Sequence, residues 1–145
     1  MNILNVREYI ETFLKIRTKD GTLMPLRLNQ PQDRMYQAVK SQWDAGKPVR
    51  IIVLKARQMG FSTLTEAIIF AITATRFYTD CMIVAHKDEA TANLFRMSLR
   101  YYENLPEPMK PMRKASNAHE LVFDKPAHYK GRRPGLGSSI KCATA

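Results

Sequence analysis

The sequence predicts an α/β domain with a parallel sheet, organised around one strand–loop–helix unit. Three observations predict it. Val49-Arg50-Ile51-Ile52-Val53-Leu54 is a mostly β-branched apolar run that breaks into a short polar loop containing Gly60. A helix-compatible stretch follows, from Phe61 to Phe77. A second apolar run, Met82-Ile83-Val84-Ala85, comes after a turn at Thr79-Asp80. A strand–helix–strand unit of this length implies a parallel pair with a right-handed crossover.

The loop carries the chemistry. Where a strand turns sharply into a helix, the backbone N–H groups of the turn and of the first helical turn converge on one spot that suits a polyphosphate. The standard phosphate-loop pattern G-x-x-x-x-G-K-[ST], laid on Lys55 to Ser62, puts Gly60 and Ser62 in register. Phe61 stands where the lysine belongs, and Lys55 where the first glycine belongs. Phosphates need a cation within reach, whatever its sequence position. Lys55 leaves the strand at the start of the loop, and Arg57 adds a planar guanidinium fork that suits phosphate oxygens. Ser62 and Thr63 supply hydroxyls for Mg²⁺. On the residues alone, the competing reading is a buried strand, a basic turn and a core helix.

The 145 residues correspond to one domain or a piece of one. A net charge of +10 favours a polyanionic partner: nucleic acid, nucleotide or an acidic surface. Cys81 and Cys142 each sit in an apolar, strand-like run and read as buried thiols of a reducing compartment. His86, His119 and His128 have no metal-ligand spacing. The start has no basic n-region and no apolar h-region. No apolar run reaches the ~20 residues of a membrane span. A cytoplasmic protein is expected.

Before the loop, Val6, Tyr9, Ile10, Phe13 and Leu14 place an amphipathic helix over residues 3–16. Asp20-Gly21 is a turn signal, and 22–28 reads as extended. Pro31 suits the first turn of a second helix capped by Asn29 or Gln30, with Met35, Val39 and Trp43 as its core face. After the second strand, Asp88 reads as the cap of a helix running to about Asn104. Pro106, Pro108 and Pro111 make a non-helical connection. Glu120–Phe123 and 138–143 read as strands. The intervening 125–137 is a glycine-containing basic loop, equally compatible with solvent or a phosphate backbone.

Lys55-Ala56-Arg57-Gln58-Met59-Gly60-Phe61-Ser62-Thr63 resembles the deviant Walker A loop of the large terminase subunits of tailed phages. In that family the lysine moves to the front of the loop, and an arginine inside it acts on the γ-phosphate. The resemblance implies a P-loop NTPase-type fold of the ASCE, helicase-like class. It implies ATP and Mg²⁺ as cofactors, held by residues 55–63. By match, Lys55 is the displaced lysine, Arg57 the catalytic arginine, and Ser62 the metal-side hydroxyl. It further implies that Gln32, ahead of Gln30, reads the adenine edge, where a carboxamide matches one donor and one acceptor. Residues 1–48 then form an N-terminal helical region carrying that glutamine, and 49–145 the first part of the ATPase core.

For a complete protein the resemblance implies an ATP-driven DNA-packaging motor with a nuclease domain, working in the host cytoplasm. Its partners would be double-stranded DNA, the portal protein, the terminase small subunit and further copies of itself. The family's acidic Walker B pair, an apolar strand ending in Asp-Glu, has no counterpart here. Asp124 follows Leu121-Val122-Phe123 but precedes no acid. The resemblance thus covers most of this chain but only the first half of the family's ATPase domain. The stretch is expected to bind nucleotide without turning it over. Two other classes stay open: a helicase-like ATPase of another kind, and a basic nucleic-acid-binding module without nucleotide chemistry.

Overall fold

The computed structural model describes residues 3–54, 58–117, 119–124 and 135–145. Helix α1 (Ile3–Phe13) leads into a small hairpin of β1 (Lys15–Arg17) and β2 (Leu23–Pro25). Helix α2 (Gln30–Asp44) follows, then α3 (Phe61–Thr73), β3 (Asp80–Ala85), α4 (Asp88–Glu103), β4 (Arg113–Ser116), β5 (Glu120–Phe123) and β6 (Ser139–Thr144). A single 3-10 turn, Glu107–Met109, absorbs the proline cluster.

The main sheet has the order β3-β6-β5-β4 and is mixed. β3 and β6 run parallel, with Cys81 opposite Ile140 and Ile83 opposite Cys142. β5 is antiparallel to both β6 and β4. Side chains stitch the parallel pair at its ends. Buried Ser138 donates to the Arg76 carbonyl at 2.8 Å and accepts from the Thr79 N–H at 3.0 Å, so the turn before β3 sets where β6 begins. At the other end Thr144 donates to Asp88 at 2.5 Å and meets the Thr91 hydroxyl at 2.9 Å, tying β6 to the start of α4.

Helix α3 lies at the centre, packed by α1, α2, α4, β3 and β6. Leu64, Ala67, Ile68, Phe70 and Ala71 are all buried, which places apolar residues on more than one of its faces. Phe70 meets Tyr101 of α4 with ring centroids 5.7 Å apart. Val6, Ile10 and Leu14 bury the inner side of α1 and its exit. One buried cluster joins these to Ile140 and Cys142 of the sheet, so residues 1–48 and 49–145 share a core.

Several elements differ from the expectations. The run 49–54 is not a strand. It is extended with strand-like alternation: Val49, Ile51 and Val53 line a groove with Trp43, Ile68 and Ile72, while Ile52 and Leu54 are fully exposed. Both backbone groups of Arg50 bond the side chain of Gln42, at 2.8 and 3.3 Å. Among the described residues no strand lies beside 51–54, and a ladder needs a partner. The expected parallel partner, β3, pairs with β6 instead.

Helix α3 stops at Thr73 and not at Phe77; Phe77 and Tyr78 are exposed, and Tyr78 has a left-handed φ of 52°. The N-cap of α4 is Lys87, with Asp88 one residue inside. Cys81 and Cys142 are free thiols; Cys142 is buried as expected, whereas Cys81 is only half-buried. Among the described residues no helix is long and apolar enough to cross a membrane.

Candidate functional site

The loop enters α3 through two left-handed residues that flank Met59: Gln58 at φ 63° and Gly60 at φ 75°. Gly60 is the N-cap, and no side chain caps the helix there. A Cβ is strained on this backbone, and glycine has none. The first intrahelical bond runs from the Leu64 N–H to the Gly60 carbonyl at 3.1 Å. The N–H groups of Phe61, Ser62 and Thr63 therefore have no partner within the helix. They point out of a helix start that carries a partial positive charge and suits an anion.

Ser62 is exposed at this mouth, and Thr63 is half-buried with its carbonyl accepting from Tyr101 Oη at 3.2 Å. Gln58 is exposed, Met59 and Phe61 half-buried. Met59 and Phe61 border a groove of about 300 Å³ with Pro31, Arg34 and Met35 of α2. Lys55, Ala56 and Arg57 lie outside the described residues, as does 125–134 of the basic loop. Ser62 fits an Mg²⁺–nucleotide site as one neutral oxygen ligand, since Mg²⁺ draws most of its shell from phosphates and water. Among the described residues no group of three His, Cys, Asp or Glu side chains forms a metal cluster.

Gln32 is brought to the loop, and its carboxamide is engaged there. The residue is 4% exposed. Its Nε2 donates to the Gly60 carbonyl at 2.7 Å. Its Oε1 accepts the Asn29 N–H at 3.0 Å, and Asn29 Oδ1 accepts the Gln32 N–H at 2.9 Å, a complete capping box at the start of α2. Of the two expected candidates, Asn29 is thus the N-cap. Gln30 is the first residue of α2 and is exposed. Arg7 of α1 bonds Asp33 at 2.6 Å and carries the connection one helix further.

Behind the loop stands a residue that sequence reasoning missed. Glu66, one turn past Ser62, is 1% exposed and accepts from Ser98 Oγ of α4 at 2.9 Å. Burial pushes its carboxyl up to about 7, and the Ser98 bond only partly offsets this. The signal in the sequence is a lone acid inside the apolar run Leu64 to Ile72. Glu66–Ser98 and Tyr101–Thr63 together hold α3 against α4 just below the loop.

No protein-family model matches the chain, nor does any curated protein sequence. A solved structure does. All of this chain, 100%, is similar to the crystal structure of the HK97 bacteriophage large terminase, with a TM-score of 0.73 and 19% identity. The fold is that of part of a phage large terminase. At this identity the likeness is one of fold, and the chain spans 28% of the terminase chain.

Proposed function

We propose that the chain is the ATP-binding part of a large-terminase-type packaging ATPase with a P-loop, ASCE-class core. The observation that carries this reading is the left-handed Gly60 opening α3, whose first N–H groups lack intrahelical partners, in a fold similar to that of a phage large terminase. The N–H groups of Phe61, Ser62 and Thr63 would hold the phosphates of ATP. Ser62 Oγ would serve as one neutral oxygen ligand for Mg²⁺. Lys55 and Arg57 neutralise phosphate charge from the front of the loop, and Arg57 acts on the γ-phosphate. Mg²⁺, when bound, would supply neutralisation of phosphate charge.

The basic balance of the chain suits double-stranded DNA as the transported polymer. Portal protein, small subunit, further copies of the motor and a nuclease domain belong to the full assembly on this reading, which acts in the host cytoplasm. In the sequence no apolar run ends in an Asp-Glu pair, and on this reading the role of the stretch is nucleotide binding.

The test is a titration of the chain with Mg²⁺ and a non-hydrolysable ATP analogue, beside Lys55→Ala. A charge-assisted contact is worth roughly 1.5–3 kcal/mol, so the substitution should weaken binding on the order of tenfold or more. Equal affinities for the two proteins would remove the displaced lysine from the site. No binding to either would remove the nucleotide.

A further inference from the structure

We infer that Gln32 is a latch: a positioning residue that holds the exit of the loop on the start of α2. Where the loop binds a nucleotide, as proposed above, Gln32 then acts on affinity through Gly60 and not by reading the base.

The carboxamide's orientation follows from its partners. Oε1 faces the Asn29 N–H, a donor, and Nε2 faces the Gly60 carbonyl, an acceptor. Turning the amide over would oppose donor to donor and acceptor to acceptor, so the network admits one orientation. The Gly60 carbonyl is saturated by this bond and by the Leu64 N–H. The contact is also steric: a Cβ on Gly60 would stand 2.6 Å from Gln32 Nε2. A second, longer bond runs beside it, from Asn29 Nδ2 to the Met59 carbonyl at 3.5 Å.

Two helix starts are therefore joined by one buried side chain, from Gln32 to a residue 28 positions further along the chain. A buried carboxamide with both ends committed is not free to meet a base edge. To do so it must release Gly60, and a saturated carbonyl then loses a donor. Any ligand-driven shift of the loop must either carry α2 with it or break this bond.

Gln32→Glu separates the two halves of the arrangement. Glutamate at this position, read at a pH where it is ionised, still accepts the Asn29 N–H and completes the capping box, but its carboxylate cannot donate to Gly60. Amide hydrogen exchange of the whole chain reads the result. The latch predicts roughly tenfold faster exchange over 58–64, the size expected for one lost buried hydrogen bond, with wild-type protection retained in the body of α2. Unchanged exchange over 58–64 overturns the proposal.

Should Gln32→Glu also loosen α2, a second pair decides. Gln32→Met removes the donor at similar length, and Asn29→Ala removes the cap but leaves the donor. Loop exchange must rise more in the first than in the second, and the opposite order overturns the latch.

Affinity for ATP and GTP analogues supplies the other readout. A latch weakens both by the same factor. A base reader changes their ratio, and a changed ratio with unaltered loop exchange overturns the proposal. If the wild type binds neither nucleotide, the nucleotide reading fails while the exchange measurement still decides the latch.

Discussion

Replacing Glu66 by Gln is expected to remove about 3 kcal/mol of pH dependence from the stability of the chain. The carboxyl stands at about 7 in the folded protein against an ordinary value of 4.5, because burial disfavours its charged form. Neutral groups face it: Ser98 and Tyr101 from α4 and Cys142 from β6. The Cys142 thiol is itself pushed up to about 11 by burial and then by Glu66; Tyr101 is raised by the same two causes and eased by Arg100.

Below pH 4.5 both folded and unfolded chains hold the Glu66 proton, and the group contributes no difference. As pH rises from 4.5 to about 7, the unfolded chain releases it and the folded chain keeps it, so stability falls. The fall is ~1.4 kcal/mol for each pH unit crossed between those two values, and above about 7 it is complete. Urea unfolding of wild type and Glu66→Gln, in acid below the lower value and in base above the upper one, checks this. The gap between the two proteins should move by about 3 kcal/mol in favour of the variant on going from acid to base. Parallel pH profiles would show that Glu66 finds a compensating charge in the fold. The consequence reaches the loop, because the Ser98–Glu66 bond lies one turn below Ser62.

What is legible in the sequence is what is decided locally. Asn29 and Pro31 mark the start of α2, since an Asx side chain and a ring-fixed φ act within a few residues of themselves. The β-branched and apolar runs of β3, β5 and β6 likewise emerge as strands. Residues 49–54 carry the same signal and are not a strand. Alternation encodes the capacity to pair, and pairing itself needs a neighbour that the described chain does not place there. The converse holds for β4. Arg113-Lys114-Ala115-Ser116 has no β-branched residue and is a strand because β5 lies beside it.

The end of α3 is hard to read because no Gly or Pro marks it. There Thr73 and Thr75 turn their hydroxyls back on the carbonyls of Ile69 and Ala71, a local competition with the helix that a count of apolar positions misses. In the site, Gly60 and Ser62 are legible as a helix-opening pair. The partner that Gly60 meets is not. Gln32 stands out in the sequence for its chemistry, a donor and an acceptor side by side, and that chemistry is applied to the backbone of Asn29 and Gly60.

Gly60→Ala is expected to cost about 3 kcal/mol in stability, while Gly46→Ala costs about 1. Both glycines have left-handed backbones, at φ 75° and 65°. Each substitution loses the ~1 kcal/mol that a Cβ meets in that region. Around Gly46 nothing lies within 4 Å of the added atom. At Gly60 the new Cβ stands 2.6 Å from Gln32 Nε2 and 3.3 Å from its Cδ. Gln32 is buried and held at both ends, so yielding means breaking its bond to Gly60 and leaving a buried amide without a partner. That costs a further ~1–3 kcal/mol. Denaturant unfolding of the two variants measures the difference, and a double-mutant cycle assigns it. In a Gln32→Ala background the obstacle is gone, and the cost of Gly60→Ala should fall to that of Gly46→Ala. An undiminished cost in that background, or equal losses at the two glycines in the wild-type chain, would mean that Gln32 does not press on Gly60 and that the loop exit is held by its own backbone alone.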